Sequence, residues 1–317
     1  MANIVVVGSL NMDVVAVAPR IPVTGETIIG NKYFTEPGGK GANQAYAAAQ
    51  LGGKVAMLGR IGDDEFGQEM KHNLEKVGCD ASGIKIVPGT SGVALIFVAE
   101  TGQNSIIVVP GANDEFGPHH VKDDANGFRG VKVVLLQLEN PTETVLAAAQ
   151  LAQKAGATVI LDPAPAPAKP LPKELFQACT IITPNETEAA ILAGLPPSRL
   201  TPQQAVQVAR KLQDQGAGTV VVKLGDQGCV VVDKQGATLI AAPRVDAKDT
   251  TAAGDNFNGA LAVGLSEGLS LRDAARFANN AAALSVTRLG TQIAVPSRAE
   301  VEEFAAKNEG ALAATSL

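Results

Sequence analysis

The sequence has no tryptophan and few residues of the kinds that bind metals or form disulfide bonds. Its 317 residues include three cysteines and three histidines, and aromatic residues make up 3% of the chain. Cys79, Cys179 and Cys229 lie far apart and are odd in number, which argues against a disulfide framework and a Cys-x-x-Cys zinc site. The histidines show no spacing typical of a metal centre. Any chemistry must therefore come from carboxylates, amides and glycine-rich backbone.

Long hydrophobic runs and clusters of basic residues are also missing. The longest stretch without a charged residue, 86–99, has 14 residues and contains proline and glycine, so no segment is predicted to span a membrane. No Lys or Arg precedes the first apolar run, Ile4–Val7, so we expect no signal peptide. The formal net charge is −6 without Lys/Arg runs, which argues against binding of nucleic acid. We therefore expect a cytoplasmic protein.

Short apolar runs alternate with amphipathic helical patterns along the chain. Runs such as Ile4–Val7 and Thr219–Lys223 are apolar enough for strands covered on both faces, and 202–215 has a helical apolar stripe. This alternation predicts a doubly wound, mostly parallel α/β sheet flanked by helices, in a single domain over 1–317. Such sheets bind ligands beyond the carboxyl ends of their strands. The tail after Gly310 is expected to fray.

Two segments, 14–37 and 91–110, interrupt this alternation. The first contains short β-prone runs at 14–17 and 27–29 between prolines and glycines, and the second reads as a β-hairpin that begins with Gly92–Ala99. Neither segment offers a crossover helix. We interpret them as a small antiparallel β sheet inserted in the domain, a candidate lid. The alternative is an extension of one edge of the main sheet.

A run of small residues, 250–254, leads directly into a helical pattern whose apolar stripe begins at Phe257. A helix start without bulky side chains exposes unpaired N–H groups, which suits a phosphate group. Asp255 lies in the first turn of this helix. Its carboxylate can complement the helix dipole or, beside a bound phosphate, accept a proton from an attacking hydroxyl. Both interpretations are open at this point.

A second glycine-rich segment contains Gly38, Gly39 and Gly41, followed by Asn43. Glycines allow close approach of backbone to a ligand, and the Asn43 amide can both donate and accept, as binding of a polyol requires. The spacing is not that of a nucleotide P-loop, and no G-x-G-x-x-G follows a strand, which argues against a Rossmann dehydrogenase. The alternative is an ordinary glycine turn at the start of a helix.

Three further motifs follow predicted strands, and each is ambiguous alone. Asn11 and Asp13 can bind sugar hydroxyls or form an Asx turn. Asn185 and Glu188 can hold a hydrated Mg²⁺ or serve as the N-cap and first turn of a helix. The segment 223–228 is either a glycine hairpin or a loop that faces a nucleotide.

Taken together, the glycine pattern at 38–43 and the pattern at 249–255 resemble the two signatures of the ribokinase-type (PfkB) carbohydrate kinases. The resemblance extends over nearly the whole chain. Within the family, the stretches 8–13, 39–43 and 136–141 are most similar to members that act on ribose. The resemblance implies a ribokinase-like fold with a β lid, and ATP-dependent phosphorylation of D-ribose at O5 to give D-ribose 5-phosphate.

The resemblance also implies roles for individual residues. Asp255 is the expected catalytic base, and the amides of Ala252, Ala253 and Gly254 are the expected anion hole for the transferred phosphoryl group. The positions expected to bind ribose are Asn11, Met12, Asp13, Gly39, Lys40, Gly41, Ala42, Asn43, Glu139 and Asp255. The positions expected to bind ATP are Asn185, Lys223, Leu224, Gly225, Asp226, Gln227, Gly228, Gly254, Asp255 and Asn279.

The family also implies metal ions and a partner subunit. Asn185 and Glu188 match the motif associated with Mg²⁺. The positions that match an activating site for K⁺ are Asp249, Thr251, Ser285, Arg288, Gly290 and Ala294. Lid sheets of two subunits are expected to form a homodimer. Asn256 and Ala294 depart from the family pattern. The alternatives are a kinase of 2-deoxyribose or another pentose, and a non-catalytic sugar or nucleotide sensor.

Overall fold

The computed structural model describes residues 2–308 and 314–317. Its strands are β1 (Ile4–Val7), β2 (Asn11–Ala18), β3 (Lys32–Gly38), β4 (Val55–Ile61), β5 (Asp80–Ile86), β6 (Gly92–Ala99), β7 (Asn104–Val109), β8 (Val133–Leu136), β9 (Thr158–Leu161), β10 (Ile181–Ile182), β11 (Thr219–Lys223), β12 (Cys229–Asp233), β13 (Gly236–Ile240) and β14 (Ala314–Ser316). Its α-helices are α1 (Lys40–Gln50), α2 (Glu65–Lys76), α3 (Pro118–Asp123), α4 (Thr142–Lys154), α5 (Lys173–Ala178), α6 (Glu186–Leu192), α7 (Pro202–Asp214), α8 (Ala253–Ser266), α9 (Leu271–Ser285) and α10 (Arg298–Asn308).

The main sheet is mostly parallel, as the alternation of strands and helices predicts. Within the described residues its order is β14-β13-β12-β11-β10-β9-β8-β1-β4-β5. All pairs from β11 to β5 are parallel, and the pairs from β11 to β14 are antiparallel. The expectation of a frayed tail is wrong for Ala314–Ser316, which pairs with β13. Residues 311–313 of that tail lie outside the described residues.

Residue alternation along the strands explains how one sheet carries two cores. In β1, Ile4 and Val6 pack into the core beneath α1, α8 and α9, whereas Val5 and Val7 pack into the core beneath α4 and α7. Successive side chains of a strand point to opposite faces, so an entirely apolar strand requires helices on both sides. The doubly wound interpretation is therefore confirmed.

The two segments that interrupt the alternation supply a separate four-stranded sheet. Its order is β3-β2-β6-β7, with antiparallel pairs β2–β3 and β6–β7 joined by a parallel pair, β2–β6. The predicted β-hairpin corresponds to β6 and β7. The predicted β-prone run at 27–29 forms no strand, because the prolines and glycines around it favour turns over ladder pairing. Instead the antiparallel partner of β2 begins at Lys32.

The topology brings several loops to one edge of the main sheet. Strands β1, β8, β9, β10 and β11 run parallel, so the segments that follow them lie together at their carboxyl ends. No helix within the described residues has both the length and the apolar character needed to cross a membrane.

Candidate active site

Glu139 organises the part of the site predicted to bind sugar. It lies just after β8, and its Oε2 accepts hydrogen bonds from Ser9 Oγ at 2.5 Å, Asn11 Nδ2 at 3.3 Å and the Lys40 backbone N–H at 2.9 Å. Ser9 lies in the β1–β2 connection, Asn11 begins β2 and Lys40 begins α1. All three reach the same carboxylate oxygen. Within the described residues Oε1 has no hydrogen-bond partner.

The predicted glycines allow α1 to approach the β1–β2 connection closely. Gly39 has a φ of 87°, and a Cβ there would lie 2.6 Å from the backbone nitrogen of Asn11. A Cβ on Gly41 would lie 2.5 Å from the backbone nitrogen of Ser9. Any larger residue would push α1 away from the sheet. Gly38 similarly leaves the space that the Asp13 carboxylate occupies.

Asp255 meets the glycine-rich segment inside the protein. Its Oδ2 accepts a hydrogen bond from Asn43 Nδ2 at 3.3 Å, and its Oδ1 accepts one from Gln44 Nε2 at 3.0 Å. The Asn43 Oδ1 in turn accepts from Gln292 Nε2 at 2.9 Å, which fixes the orientation of the Asn43 amide. The carboxylate is 5% exposed. Each carboxylate oxygen accepts one hydrogen bond from a side-chain amide, which orients the carboxylate and leaves lone pairs free to accept a proton.

Two carboxylates of the site, Asp255 and Asp13, have raised pKa values, and a lysine lies near them. Burial raises the pKa of Asp255 to about 6, with Lys40 opposing the shift. Burial, together with Glu139 and other nearby carboxylates, raises the pKa of Asp13 to about 7. Although burial alone lowers it, Asp255 and its carboxylate neighbours raise the pKa of Lys40 overall. Carboxylates with raised pKa values beside a fixed cation are typical of sites for proton transfer.

The predicted anion hole lies at the start of α8. Ala252 is the N-cap residue and has a φ of 56°, in the left-handed region that non-glycine residues rarely adopt. Within the described residues, the N–H groups of Gly254 and Asp255 have no acceptor, whereas that of Ala253 lies 3.3 Å from the Thr250 oxygen. Free N–H groups at a helix N-terminus suit an anion. The structure thus places Asp255 beside these groups.

Asn256, the departure from the family pattern, turns back onto this loop. Its Nδ2 donates to the Ala252 carbonyl at 3.2 Å, and the side chain is buried. Its Oδ1 is buried without a partner within the described residues. This contact supports the strained backbone of Ala252 and does not involve the residues predicted to bind sugar.

The motif predicted to hold Mg²⁺ forms the first turn of α6. Asn185 accepts from the Glu188 N–H and Glu188 accepts from the Asn185 N–H, which is a capping box. Glu188 is 7% exposed, and burial raises its pKa while Lys223 opposes the shift. Within the described residues, no group of three or more His, Cys, Asp or Glu side chains could hold a metal ion. Two oxygen donors fit an Mg²⁺ that keeps water and phosphate ligands.

The segment predicted to face the nucleotide connects β11 and β12. Gly228 has a φ of 94°, and a Cβ there would lie 2.1 Å from the Ile240 carbonyl oxygen, so only glycine fits. Asp226 and Gln227 are exposed. The Asn279 Nδ2 donates to the Ile240 carbonyl at 2.9 Å, so this side chain anchors the end of β13.

Two loops meet at the residues predicted to bind K⁺. Asp249 Oδ1 accepts from the N–H and hydroxyl of Thr251 at 2.9 and 2.6 Å, and its Oδ2 accepts from the Gly290 N–H at 3.1 Å. The Arg288 backbone N–H donates to the Ser285 carbonyl at 3.0 Å, and Ala294 is buried in a short 3-10 turn. The Asp249 carboxylate thus joins the segment that precedes the anion hole to the loop after α9.

Three predicted binding residues direct their side chains elsewhere. Met12, Ala42 and Leu224 are buried in the two hydrophobic cores. Their side chains face the cores, so the prediction that these positions bind a ligand can concern only their backbone. Only their backbone can line the site.

Sequence reasoning missed four polar residues that support the site. Ser9 and Gln44 lie inside recognised motifs, and their contacts with Glu139 and Asp255 depend on the fold. Asn113 Nδ2 donates to Asn11 Oδ1 at 2.8 Å and so orients that amide. Asp162 follows β9 and accepts a hydrogen bond from Lys223 at 2.9 Å. Its position after a buried strand was the available signal.

Comparison with known proteins supplies the family. The model of the pfkB family carbohydrate kinases matches residues 1–298. The chain belongs to this family. A ribokinase from Haemophilus influenzae is 42% identical over 303 residues, which make up 95% of this chain and 98% of that protein. A deoxyribokinase from Salmonella typhi is 37% identical over 308 residues, which make up 97% of this chain and 100% of that protein.

Solved structures of pfkB-type kinases agree with this assignment. The structure of Arabidopsis thaliana ribokinase complexed with ribose and ATP has a TM-score of 0.89 and 36% sequence identity, and the match covers 96% of this chain and 98% of that one. The predicted family and the predicted fold class, a mostly parallel α/β sheet with a small second sheet, are therefore confirmed.

Proposed function

We propose that this pfkB-type kinase transfers the γ-phosphoryl group of ATP to O5 of D-ribose and releases D-ribose 5-phosphate. One observation carries the proposal: the buried Asp255 carboxylate contacts the sugar-site residue Asn43 and lies in the first turn of α8, next to free N–H groups. A hydroxyl held by the glycine-rich segment would therefore lie between a base and an anion site. Relatives named ribokinase support ribose as the acceptor of the phosphoryl group.

The sugar-binding role rests on polar groups that the protein itself does not satisfy. Among the described residues, one oxygen of Glu139 has no partner, while its other oxygen accepts from three donors. Asn11, Asp13 and Lys40 surround it. Ribose offers several adjacent hydroxyls that donate and accept, so a mixed set of carboxylate, amide and ammonium groups suits it. Asn11 is buried and the other three are half-buried, so an unpaired group there is costly and binding is selective.

Asp255 is the proposed base in an in-line transfer. It takes the proton of the 5-hydroxyl as O5 attacks the γ-phosphorus, the O5–P bond forms, and the bond between the γ-phosphorus and the bridging oxygen of ADP breaks. The N–H groups of Ala252, Ala253 and Gly254 would face the charge that spreads over the phosphoryl oxygens, with that of Ala253 also donating to the Thr250 carbonyl. Positioning and charge stabilisation supply most of the rate in such reactions.

Asn185 and Glu188 would hold Mg²⁺, and its chemistry there is to neutralise phosphate charge when bound with ATP. The 223–228 loop and Asn279 would border the nucleotide. Asp249, Thr251, Ser285, Arg288, Gly290 and Ala294 would surround the activating K⁺ through backbone and side-chain oxygens. The contact of Asp249 with Thr251 and Gly290 supports this assignment, because it ties the predicted cation loops to the anion hole.

The small sheet is the proposed lid and homodimer interface, formed by 14–37 and 91–110. Its β7 strand exposes Ile106, Ile107, Val108 and Val109, and Tyr33 of β3 is 79% exposed. Because side chains alternate along a strand, Ile107 and Val109 expose apolar surface on one face of the sheet and Ile106 and Val108 on the other, and such surface favours burial against a second copy. A lid over the sugar would exclude water and suppress hydrolysis of ATP. Light scattering of the wild type and of Ile107→Glu tests the dimer, which we expect only for the wild type.

A cytoplasmic location is proposed on chemical grounds. ATP is the co-substrate, and the three cysteines, Cys79, Cys179 and Cys229, are free and buried. Free thiols match a reducing compartment.

A kinase of 2-deoxyribose is the second candidate, and the deoxyribokinase relative is the observation in its favour. A coupled ADP assay with Mg²⁺ and K⁺ on D-ribose, 2-deoxyribose and other pentoses tests both. We expect the highest kcat/KM with D-ribose. A preference for 2-deoxyribose would favour the second candidate, whereas binding of sugar without turnover of any acceptor would indicate a sensor.

A further inference from the structure

Asp162 is a buried carboxylate that the proposed reaction does not use. It follows β9 at the carboxyl edge of the main sheet, and its side chain is 2% exposed. Its Oδ1 accepts from Lys223 Nζ at 2.9 Å, and its Oδ2 accepts from Gln44 Nε2 at 3.0 Å. A buried carboxylate needs partners of this kind to offset its loss of hydration.

Lys223 carries the positive charge of this pair to the start of α8. It ends β11, and its Nζ lies 3.2 Å from the position that a Cβ on Gly254 would occupy. The ammonium group is therefore adjacent to the first turn of α8, where the N–H of Gly254 has no acceptor within the described residues. This places a cation and a free N–H group side by side.

Gln44 connects the pair to the proposed base. Its Nε2 donates one hydrogen to Asp162 and the other to Asp255, each at 3.0 Å. Its Oε1 accepts from Gln137 Nε2 at 2.7 Å. The opposite orientation of the Gln44 amide would set its oxygen against two carboxylates, so the contacts define one orientation. A single side chain thus spans the distance between Asp162 and Asp255.

We infer that Asp162 and Gln44 are positioning residues and that Lys223 contacts the migrating phosphoryl group. Asp162 holds the Lys223 ammonium at the anion hole. Gln44 fixes the position of the Asp255 carboxylate relative to this ammonium. Base and cation then lie on the two sides of the transferred group. This inference rests on the proposed function, and it goes beyond the nucleotide contact expected for Lys223.

The physical reason is the distribution of charge during transfer. Negative charge on the phosphoryl oxygens is stabilised by preorganised donors and cations that need not rearrange during the step. A free lysine has a flexible four-carbon stem, and the bond to Asp162 removes that freedom. Gln44 applies the same restraint to the carboxylate, whose oxygens must face O5. Two buried residues, Asp162 and Gln44, therefore position the two groups that act on the phosphoryl transfer, Lys223 and Asp255.

The ion pair can also be explained as a purely structural contact, and a double variant separates these explanations. Asp162→Asn alone leaves a buried cation unpaired, and Lys223→Met alone leaves a buried anion unpaired, so each is expected to lower Tm. The combined Asp162→Asn/Lys223→Met variant removes both charges and should recover most of the Tm. We expect its kcat for ribose to stay about 10²-fold below wild type, with the ribose KM within threefold.

Two further readouts test the positioning roles. In Lys223→Arg, which keeps the charge, we expect part of the lost kcat to return. The pH profile of kcat/KM should shift in opposite directions in two variants. Gln44→Met removes a hydrogen bond to the Asp255 carboxylate, so the acid limb should move to higher pH. Asp162→Asn removes a negative charge near Asp255, so the acid limb of its profile should move to lower pH. The charged groups that face Asp255 are Lys40, Asp162, Glu139 and Asp13.

Matched controls come from ion pairs and lysines outside the site. Asp233→Asn breaks the pair of Asp233 with Arg272, and Lys132→Met removes a donor to the Ser266 carbonyl. Both should leave kcat and the pH profile unchanged. A double variant with wild-type kcat, or acid limbs that do not move, would overturn the inference. Wild-type turnover is measured first, because its absence for every sugar would refute the proposed function instead.

Discussion

The side-chain amide of Asn43 donates to the Asp255 carboxylate across 3.3 Å, although the two residues lie 212 positions apart in the chain. Asn43 belongs to α1 and Asp255 to α8, and the two helices pack against the same face of the main sheet. This contact joins the proposed sugar site to the proposed catalytic base.

Glu139 should govern affinity for the sugar. In Glu139→Gln, an amide replaces a carboxylate whose Oε2 accepts three hydrogen bonds. The replacement leaves donors facing a group that cannot accept all of them. We expect the ribose KM to rise by about tenfold or more, with a smaller change in kcat. Steady-state kinetics check this, with the exposed Glu143→Gln as the control. An unchanged ribose KM would contradict the assignment of Glu139 to the sugar site.

The pH dependence of kcat/KM should report the raised pKa values of the site. Burial raises the pKa of Asp255 to about 6 and that of Asp13 to about 7. A base must be ionised to accept a proton, so activity should fall as pH drops through this range and be retained above it. Measurement of kcat/KM for ribose from pH 5 to 9, with saturating MgATP, gives the pH at which activity falls on the acid side. Full activity at pH 5 would contradict the assignment of the base.

Gly41→Ala should destabilise the protein. The new Cβ would lie 2.5 Å from the Ser9 backbone nitrogen, and backbone atoms cannot move aside as a flexible side chain can. We expect the free energy of unfolding to fall by about 1–3 kcal/mol. Urea denaturation measures it. Gly127→Ala is the matched control, because a Cβ there meets no atom within 4 Å. Equal stability of the two variants would contradict the close approach of α1 to the β1–β2 connection.

Ala252→Gly should relieve strain in the anion-hole loop. Ala252 has a φ of 56°, a conformation that costs an alanine about 1–2 kcal/mol. Glycine removes this cost, but its greater freedom in the unfolded chain offsets part of the gain in stability. We expect a net gain in unfolding free energy of about 0.5–1 kcal/mol and a lower kcat, because the loop is less restrained. Ala155→Gly, at an ordinary φ of −77°, should lose stability instead. A loss of stability in both would contradict the strain.

Local pattern predicts much of this fold, because each signal is carried by neighbouring residues. The apolar runs of β1 and β11 and the stripe of α7 correspond to observed elements. The β14 strand could not be predicted, since its polar residues gain their conformation from pairing with the edge strand β13. The run at 27–29 has β-prone residues and no partner strand within the described residues.

The site was predictable where motifs are long and not where single residues converge. Asp255 and Asn43 belong to extended patterns. Gln44 and Asp162 are 118 positions apart, and nothing in their local sequence indicates that they share a hydrogen bond. Their roles depend on the parallel order of β1, β8 and β9, which brings distant loops to one edge.

The central claim is that Asp255 accepts the proton of the sugar hydroxyl, and turnover of D-ribose by Asp255→Asn tests it most directly. Asparagine keeps the size of the side chain but cannot act as the base, and its NH2 group replaces one of the two oxygens that accept hydrogen bonds. We predict a fall in kcat of about 10²–10⁴-fold, with ADP affinity close to wild type. Wild-type turnover by Asp255→Asn would contradict the account.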